Sequence, residues 1–189
     1  MFNVNIKFHA MSTEEIRAFQ SGQTNLGVQP QKFLNEMLDD WEFDYKSIDT
    51  LEGCNGRLIY ALDELNDDVA SAAIIIEAEG DPDTLTVGLV HTNPRYENMG
   101  IASEIYQLME KFSSGYKDIS NQVTEINFVS QDFHKKLGYT KHPIYDRWNK
   151  KLDPKTQVGT FQEINNTETS KQFTPSQRGL DELDNDISI

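Results

Sequence analysis

The chain reads as an α/β protein of the α+β kind, on three observations. Period-two and 3.6-period runs follow one another in the order β-α-α-β-β-β-α-β-α. One run, Ser71-Ala72-Ala73-Ile74-Ile75-Ile76, is small or β-branched on both faces, as a strand in the middle of a sheet must be. The polar excess behind a mean hydropathy of -0.60 lies toward the C-terminus, which leaves about 150 residues with enough apolar content for one core.

The elements follow in order. Phe2-Asn3-Val4-Asn5-Ile6-Lys7-Phe8 alternates with period two and predicts a strand. Ser12 and Glu15 form a capping box that opens a short helix through Phe19. Pro30 opens a second helix, with Phe33, Leu34, Met37, Leu38 and Trp41 at helical spacing. The stretch Asp49 to Gly56 reads as a loop, and Cys54 within it as a passive free thiol. Strands are expected at Arg57 to Asp63 and Val69 to Glu79, joined by the turn Asn66-Asp67-Asp68, and then at Thr84 to His91. Ile101, Ile105, Leu108, Met109 and Phe112 form the apolar stripe of a helix that begins after Gly100 and stops near Ser113-Ser114-Gly115. A short strand at Val123 to Phe128 and a helix from Gln131 to Leu137, stopped by Gly138, complete the series.

Beyond Leu152 the composition changes to Thr, Gln, Asn, Ser and Asp, so a domain at 1–152 and an acidic polar tail at 153–189 are expected. The tail reads either as solvated chain or, through Leu180, Leu183 and Ile187, as a segment that docks on a basic partner.

A net charge of -14 argues against nucleic-acid or anionic-membrane binding and favours cationic partners: small amines, polyamines or a basic protein surface. One cysteine and no Cys/His cluster predict neither a disulfide nor a metal site. With no apolar leader and no run near ~20 apolar residues, a cytoplasmic protein is expected.

Functional chemistry concentrates in Asn93-Pro94-Arg95-Tyr96-Glu97-Asn98-Met99-Gly100-Ile101-Ala102-Ser103. A strand that turns at a proline and enters a helix through Gly-x-Ala presents free backbone amides at a positive helix end, which is an anion site. This stretch resembles the acyl-CoA-binding segment of the GNAT N-acetyltransferases, Arg/Gln-x-x-Gly-x-Gly/Ala, with Gly100 and Ala102 matching and Glu97 at the first fixed position. A second segment, Asn127 to Tyr139, is similar to the family's Asn-x6-Tyr and Lys-Leu-Gly-Phe-like pattern through Asn127 and Lys136-Leu137-Gly138-Tyr139, with His134 at the Tyr position.

The resemblance implies a central mixed, mostly antiparallel sheet flanked by helices, and acetyl-CoA as co-substrate without a metal. It implies that Leu89, Val90 and His91 offer backbone groups to the pantetheine. Asn98, Met99, Gly100, Ile101, Ala102 and Ser103 would cradle the pyrophosphate, and Asn127 would orient the cofactor or simply form a turn. His134 stands where the family has its general acid; it is either that acid, with a pKa kept near neutrality by the acidic protein, or an exposed helix residue beside Lys135. For the base, His91, Glu77, Glu79 or a water between them are the candidates. Glu97 at ~5 Å from a phosphate charge would cost about 3 kcal/mol at an effective dielectric near 20. Each charge-assisted amide bond contributes about 1.5–3 kcal/mol, so several amides outweigh it. Arg95 supplies either a compensating charge or a surface ion pair.

The function implied is acetyl transfer from acetyl-CoA to a primary amine by direct attack in a ternary complex. The alternative is a catalytically degenerate GNAT-fold binding or assembly protein, of a kind a phage could encode, joined to itself or to a partner through its short last strands and C-terminal region.

Overall fold

Eight strands form one sheet in the order β6-β7-β5-β4-β3-β2-β1-β8 in the computed structural model, which describes residues 4–45, 48–122, 128–167 and 171–173. The chain builds it from β1 (Val4–Ser12), α1 (Thr13–Gln20), α2 (Val28–Tyr45), α3 (Ile48–Gly53), β2 (Arg57–Asp63), β3 (Asp68–Ala78) and β4 (Asp81–Thr92). A 3-10 turn at Pro94–Tyr96 leads to α4 (Ile101–Lys111), β5 (Asp118–Gln122), α5 (Phe128–Lys136), β6 (Thr140–Lys141) and β7 (Arg147–Lys151). A 3-10 helix at Phe161–Asn166 and β8 (Lys171–Phe173) close the described chain. Only β4 and β5 pair in parallel, as the helix between them requires.

The two faces bury separate cores. Ile16, Phe19, Leu34, Leu38, Trp41 and Leu51 cover one face, against Leu58, Val69, Ala72 and Ile74. Ile101, Ile105, Tyr106, Met109 and Phe112 of α4 cover the other, against Ile59, Ala73, Ile75, Leu85 and Val87. Residues of β3 enter both cores, which accounts for its unbroken apolar sequence. The α1 capping box forms as its sequence predicts: Ser12 Oγ accepts from the Glu15 amide at 3.3 Å and Glu15 Oε2 from the Ser12 amide at 2.7 Å.

One irregularity shapes everything downstream. Ile74 pairs with Leu89 but Ile75 with Val87, so Gly88 is the extra residue of a β-bulge. The bulge reverses the in-out alternation: Leu85 and Val87 face α4, whereas Leu89 packs on the α2 side and Val90 on the α4 side. A Cβ at Gly88 would lie 2.5 Å from Trp41 Cζ3, so only glycine lets α2 approach this closely.

The structure adds two elements the sequence reading did not expect. Asp49 to Gly56 carries the short helix α3. A strand lies at Asp118–Gln122; of the strand expected at Val123 to Phe128, residues 123–127 are outside the described residues and Phe128 begins α5. Polarity hid this strand, because Asp118, Ser120, Asn121 and Gln122 leave Ile119 as its sole aliphatic side chain.

Past Leu152 the described chain returns to the sheet. Phe161 and Ile164 are buried in the α4-side core, held by a turn in which the Thr160 amide donates to Glu163 Oε2 at 2.6 Å. Asn165 Oδ1 accepts from the Ala10 amide at 2.9 Å, and its Nδ2 donates to the Ala10 carbonyl at 2.9 Å, as a neighbouring strand would. Val4, Asn5 and Ile6 then pair with Phe173, Gln172 and Lys171. The chain past 152 thus covers the outer edge of β1, which two isolated apolar residues in polar sequence did not disclose. The docking segment expected around Leu180 to Ile187 falls outside the described residues.

Two outcomes follow for stability. Phe161→Ala should cost about 3 kcal/mol through lost burial and the cavity it leaves, and should raise self-association through the uncovered β1 edge. Chemical denaturation and size-exclusion chromatography measure the two effects. Gly88→Ala should destabilise by about 1–3 kcal/mol, because neither Trp41 nor the bulged backbone has room to move.

Candidate functional site

The bulge falls where the described pairing of β4 with β5 stops. Among the described residues their ladder runs from Thr84 with Asp118 to Val87 with Asn121. From Leu89 to Thr92, β4 keeps its β3 partners but has no strand on its other side among the described residues. Among the described residues this leaves a cleft along the β4 edge, whose backbone groups can pair with an extended chain that carries amides.

At the head of that cleft the chain turns through Pro94–Tyr96 into α4. Asn98 and Gly100 both take left-handed backbone conformations, φ +59° and +84°. Gly100 is the N-cap and supplies no side chain to the helix start. Among the described residues, the amides of Asn98, Met99, Gly100, Ile101, Ala102 and Ser103 donate to no acceptor, whereas the Glu104 amide already donates to the Gly100 carbonyl at 3.1 Å. The Cβ direction of Gly100 meets nothing within 4 Å, so the space over these amides is open. Met99 and Ile101 are buried, which anchors the loop to the core. Open amides, a helix end and an unpaired strand edge fit a long ligand with amide groups and a phosphate.

Charged side chains around the loop have definite places. Arg95 Nη1 lies 3.2 Å from Asp68 Oδ2 and its guanidinium stands 5.8 Å from the Tyr96 ring centre, so of its two expected uses the structure shows the ion pair. Glu97 is exposed. His91 sits on the α2 side, with Nε2 3.4 Å from Asp40 Oδ2 and its ring edge-on to Phe33 at 6.5 Å. It borders the cleft and stays partly exposed.

Two sequence candidates stand elsewhere. Glu77 pairs with Leu85, five residues along β3 from Ala72, the partner of His91. At about 3.3 Å per residue it is ~16 Å from the level of His91 and ~10 Å from that of Leu89, where the cleft begins. Its carboxylate instead accepts from Tyr116 Oη at 2.7 Å and Asn55 Nδ2 at 2.9 Å, which hold its pKa below the ordinary value. Glu79 lies two residues farther on, in the exposed turn before β4.

His134 is 2 % exposed, not a surface residue of α5. Its Nδ1 donates to the Ser130 carbonyl at 2.7 Å, which leaves Nε2 as an acceptor, 2.7 Å from Asn121 Nδ2 and 3.1 Å from Tyr106 Oη. Phe133, Tyr106 and Tyr139 meet the imidazole edge to face. Burial lowers its pKa, and the Ser130 bond offsets only part of that. The expected rise from the acidic protein is thus reversed: this is a neutral core histidine that locks α4, β5 and α5 together. The sequence could have hinted at this, because Ser130 and His134 are one helical turn apart and Phe133 and Leu137 share the apolar stripe. Asn127 lies outside the described residues.

Among the described residues, no group of three or more His, Cys, Asp or Glu side chains is placed to hold a metal, and no helix is long and apolar enough to cross a membrane.

The family model of the GNAT acetyltransferases matches residues 22–139, more than half of the chain and inclusive of the bulge, the loop and α5. No curated relative matches the sequence. Among solved structures, a protein of Acinetobacter baylyi described as an acetyltransferase superposes with a TM-score of 0.55 at 15% identity, over 81% of this chain and 96% of its own. An N-acetyltransferase of Staphylococcus aureus gives 0.51 at 14% identity, over 79% and 99% of the two chains. An acetyltransferase of Thermus thermophilus gives 0.51 at 11%, over 80% and 100%. At these identities the likeness is one of fold. The matching family model, together with the parallel β4–β5 pair that splays after a bulge, decides the assignment: the chain belongs to the GNAT acetyltransferase family.

Proposed function

We propose that this protein is an N-acetyltransferase that moves the acetyl group of acetyl-CoA to a primary amine by direct attack within a ternary complex. The observation that carries this reading is the row of open amides from Asn98 to Ser103 beside the unpaired edge of β4. On this reading the amides and the α4 dipole hold the pyrophosphate, and the β4 edge from Leu89 to His91 pairs with the pantetheine. Acetyl-CoA supplies an activated thioester carbonyl. On this reading His91, beside Asp40, takes the proton the ammonium must lose, directly or through a water; the free amine then attacks the thioester carbonyl and CoA leaves as its thiolate. A net charge of -14 favours a cationic acceptor, either a small amine or a basic protein bearing a lysine or a free N-terminus. The setting consistent with this chemistry is the cytoplasm.

A second reading is favoured by two specific observations. Glu97 stands where the family's motif has Arg or Gln, and the residue at the family's acid position is buried as neutral His134. Both suit a member that keeps the cofactor cleft but works as a binding or assembly protein.

Titration calorimetry with acetyl-CoA decides first, with Gly100→Trp as control because a side chain there fills the space above the amides. Binding to the wild type that is lost in the variant is expected; no binding at millimolar ligand overturns the enzyme reading. Turnover on a panel of polyamines and basic peptides then separates the two readings, since binding without turnover supports the second.

The buried His134 makes a pH prediction about the fold. Its pKa lies below 6.5 in the folded chain and near 6.5 in the unfolded one, so the proton goes preferentially to the unfolded state. Its contribution is complete above about pH 6.5 and is lost as pH falls below that value. His9, whose pKa burial and then Lys7 also lower, acts in the same direction. The thermal midpoint should therefore fall on acidification from pH 7 to 5, and His134→Asn should flatten part of that slope. An NMR titration that places the His134 imidazole above 6.5 would contradict this account.

A further inference from the structure

The loop that carries the open amides is gripped from behind by two buried carboxylates. Asp63, at the end of β2, is fully buried and accepts from the amides of Asn5 and Leu65 at 3.0 and 3.1 Å, from Asn66 Nδ2 at 2.5 Å and from Tyr96 Oη at 3.1 Å. Asp68, at the start of β3, is 8 % exposed and accepts from Asn93 Nδ2 and Arg95 Nη1, both at 3.2 Å. Asn93 is held further, its amide donating to the Ala70 carbonyl at 3.0 Å and its Oδ1 accepting from the Arg95 amide at 3.1 Å. Thus Asn93, Arg95 and Tyr96 of the turn between β4 and α4 are all tied to the β2–β3 hairpin.

We propose that the Asp63–Tyr96 and Asp68–Asn93/Arg95 contacts form a positioning clamp that sets the Asn98–Ser103 amides in the direction in which they bind a phosphate. The proposal rests on the acetyl-CoA reading of this cleft. Four residues separate Tyr96 from Ile101, and two of them, Asn98 and Gly100, hold left-handed conformations that a slack loop would not keep. With Tyr96 fixed on one side and Met99 and Ile101 buried on the other, the amides have one orientation before any ligand arrives. An anion bound by backbone dipoles depends on that orientation, since misaligned N–H groups lose most of their attraction.

A carboxylate behind an anion site also repels the anion, and this gives the clamp a distinctive sign. If Asp68 acted on the ligand only through its charge, Asp68→Ala would tighten binding. As a clamp, its loss weakens binding. None of these residues touches the ligand, so they are positioning residues.

The experiment compares the wild type with Tyr96→Phe, which keeps the buried ring and deletes the hydroxyl, and with Asp68→Ala. Hydrogen exchange of residues 97–103 is measured without ligand, and acetyl-CoA affinity by calorimetry. Expected are faster exchange confined to this loop and about tenfold weaker affinity in both variants, with kcat on any accepted amine changed less than KM. Unchanged exchange and affinity in a folded Tyr96→Phe, or tighter binding by Asp68→Ala, overturns the clamp. If Tyr96→Phe fails to fold, Asp68→Ala decides alone by the sign of its effect. A wild type that binds no acetyl-CoA removes the functional reading, and loop exchange in the two variants then still decides whether the clamp holds the loop.

Discussion

The contact between Trp41 and the bulged Gly88 is the constraint on which the architecture turns. A regular β4 would keep Leu89 on the same face as Leu85 and Val87 and let β5 continue beside it. The extra residue reverses the facing of every side chain after it, sending Leu89 and His91 toward α2 and Val90 toward α4. It also coincides with the end of the β4–β5 ladder, so the cleft and the facing of its side chains share one origin. Trp41 makes the arrangement specific, because its indole fills the place a side chain at Gly88 would need.

A division of labour between backbone and side chains follows. On the acetyl-CoA reading the ligand is held by main-chain amides and a strand edge, so a glutamate at position 97 can stand where the family's motif has a basic or amide side chain without disturbing the loop. The buried polar side chains work elsewhere. Tyr106, Asn121 and His134 satisfy one another in a buried setting between α4, β5 and α5, where an isolated polar group would be costly. Asp63 gathers donors from β1, the β2–β3 turn and the 3-10 turn in the same way, so polar networks define where the elements meet.

Much of the fold was legible in the sequence because its elements follow simple periodicities. Val4, Ile6, Phe8 and Ala10 alternate, α4 shows its stripe, and Ser12 and Glu15 mark a helix start that forms as written. The turn at Pro94 and the glycine at 100 marked where the chain leaves β4 and enters α4, and the structure has a 3-10 turn and a left-handed N-cap there. The remainder depended on contacts between distant residues. Nothing local marks β5, whose Ser120 and Asn121 are buried through hydrogen bonds to Thr86 and to Tyr106 and His134. Whether a histidine on a short helix faces solvent or core depends on Tyr106 and Tyr139, which no window around residue 134 contains. Glu77 looked like a base because strand position alone does not reveal which end of a sheet a residue occupies.

The outer edge of β1 is finished by residues far away in the chain. Ala10 finds its partner 155 residues later at Asn165, and Val4 pairs with Phe173. During synthesis β1 thus stays open on that side until residues 165–173 have emerged from the ribosome. Loop closure over such a span is slow compared with hairpins such as β2–β3. The sheet should therefore grow outward from its centre, with the β1 edge sealed as the closing event of folding. During synthesis, exposure of that edge lasts longest in the molecules where translation pauses late.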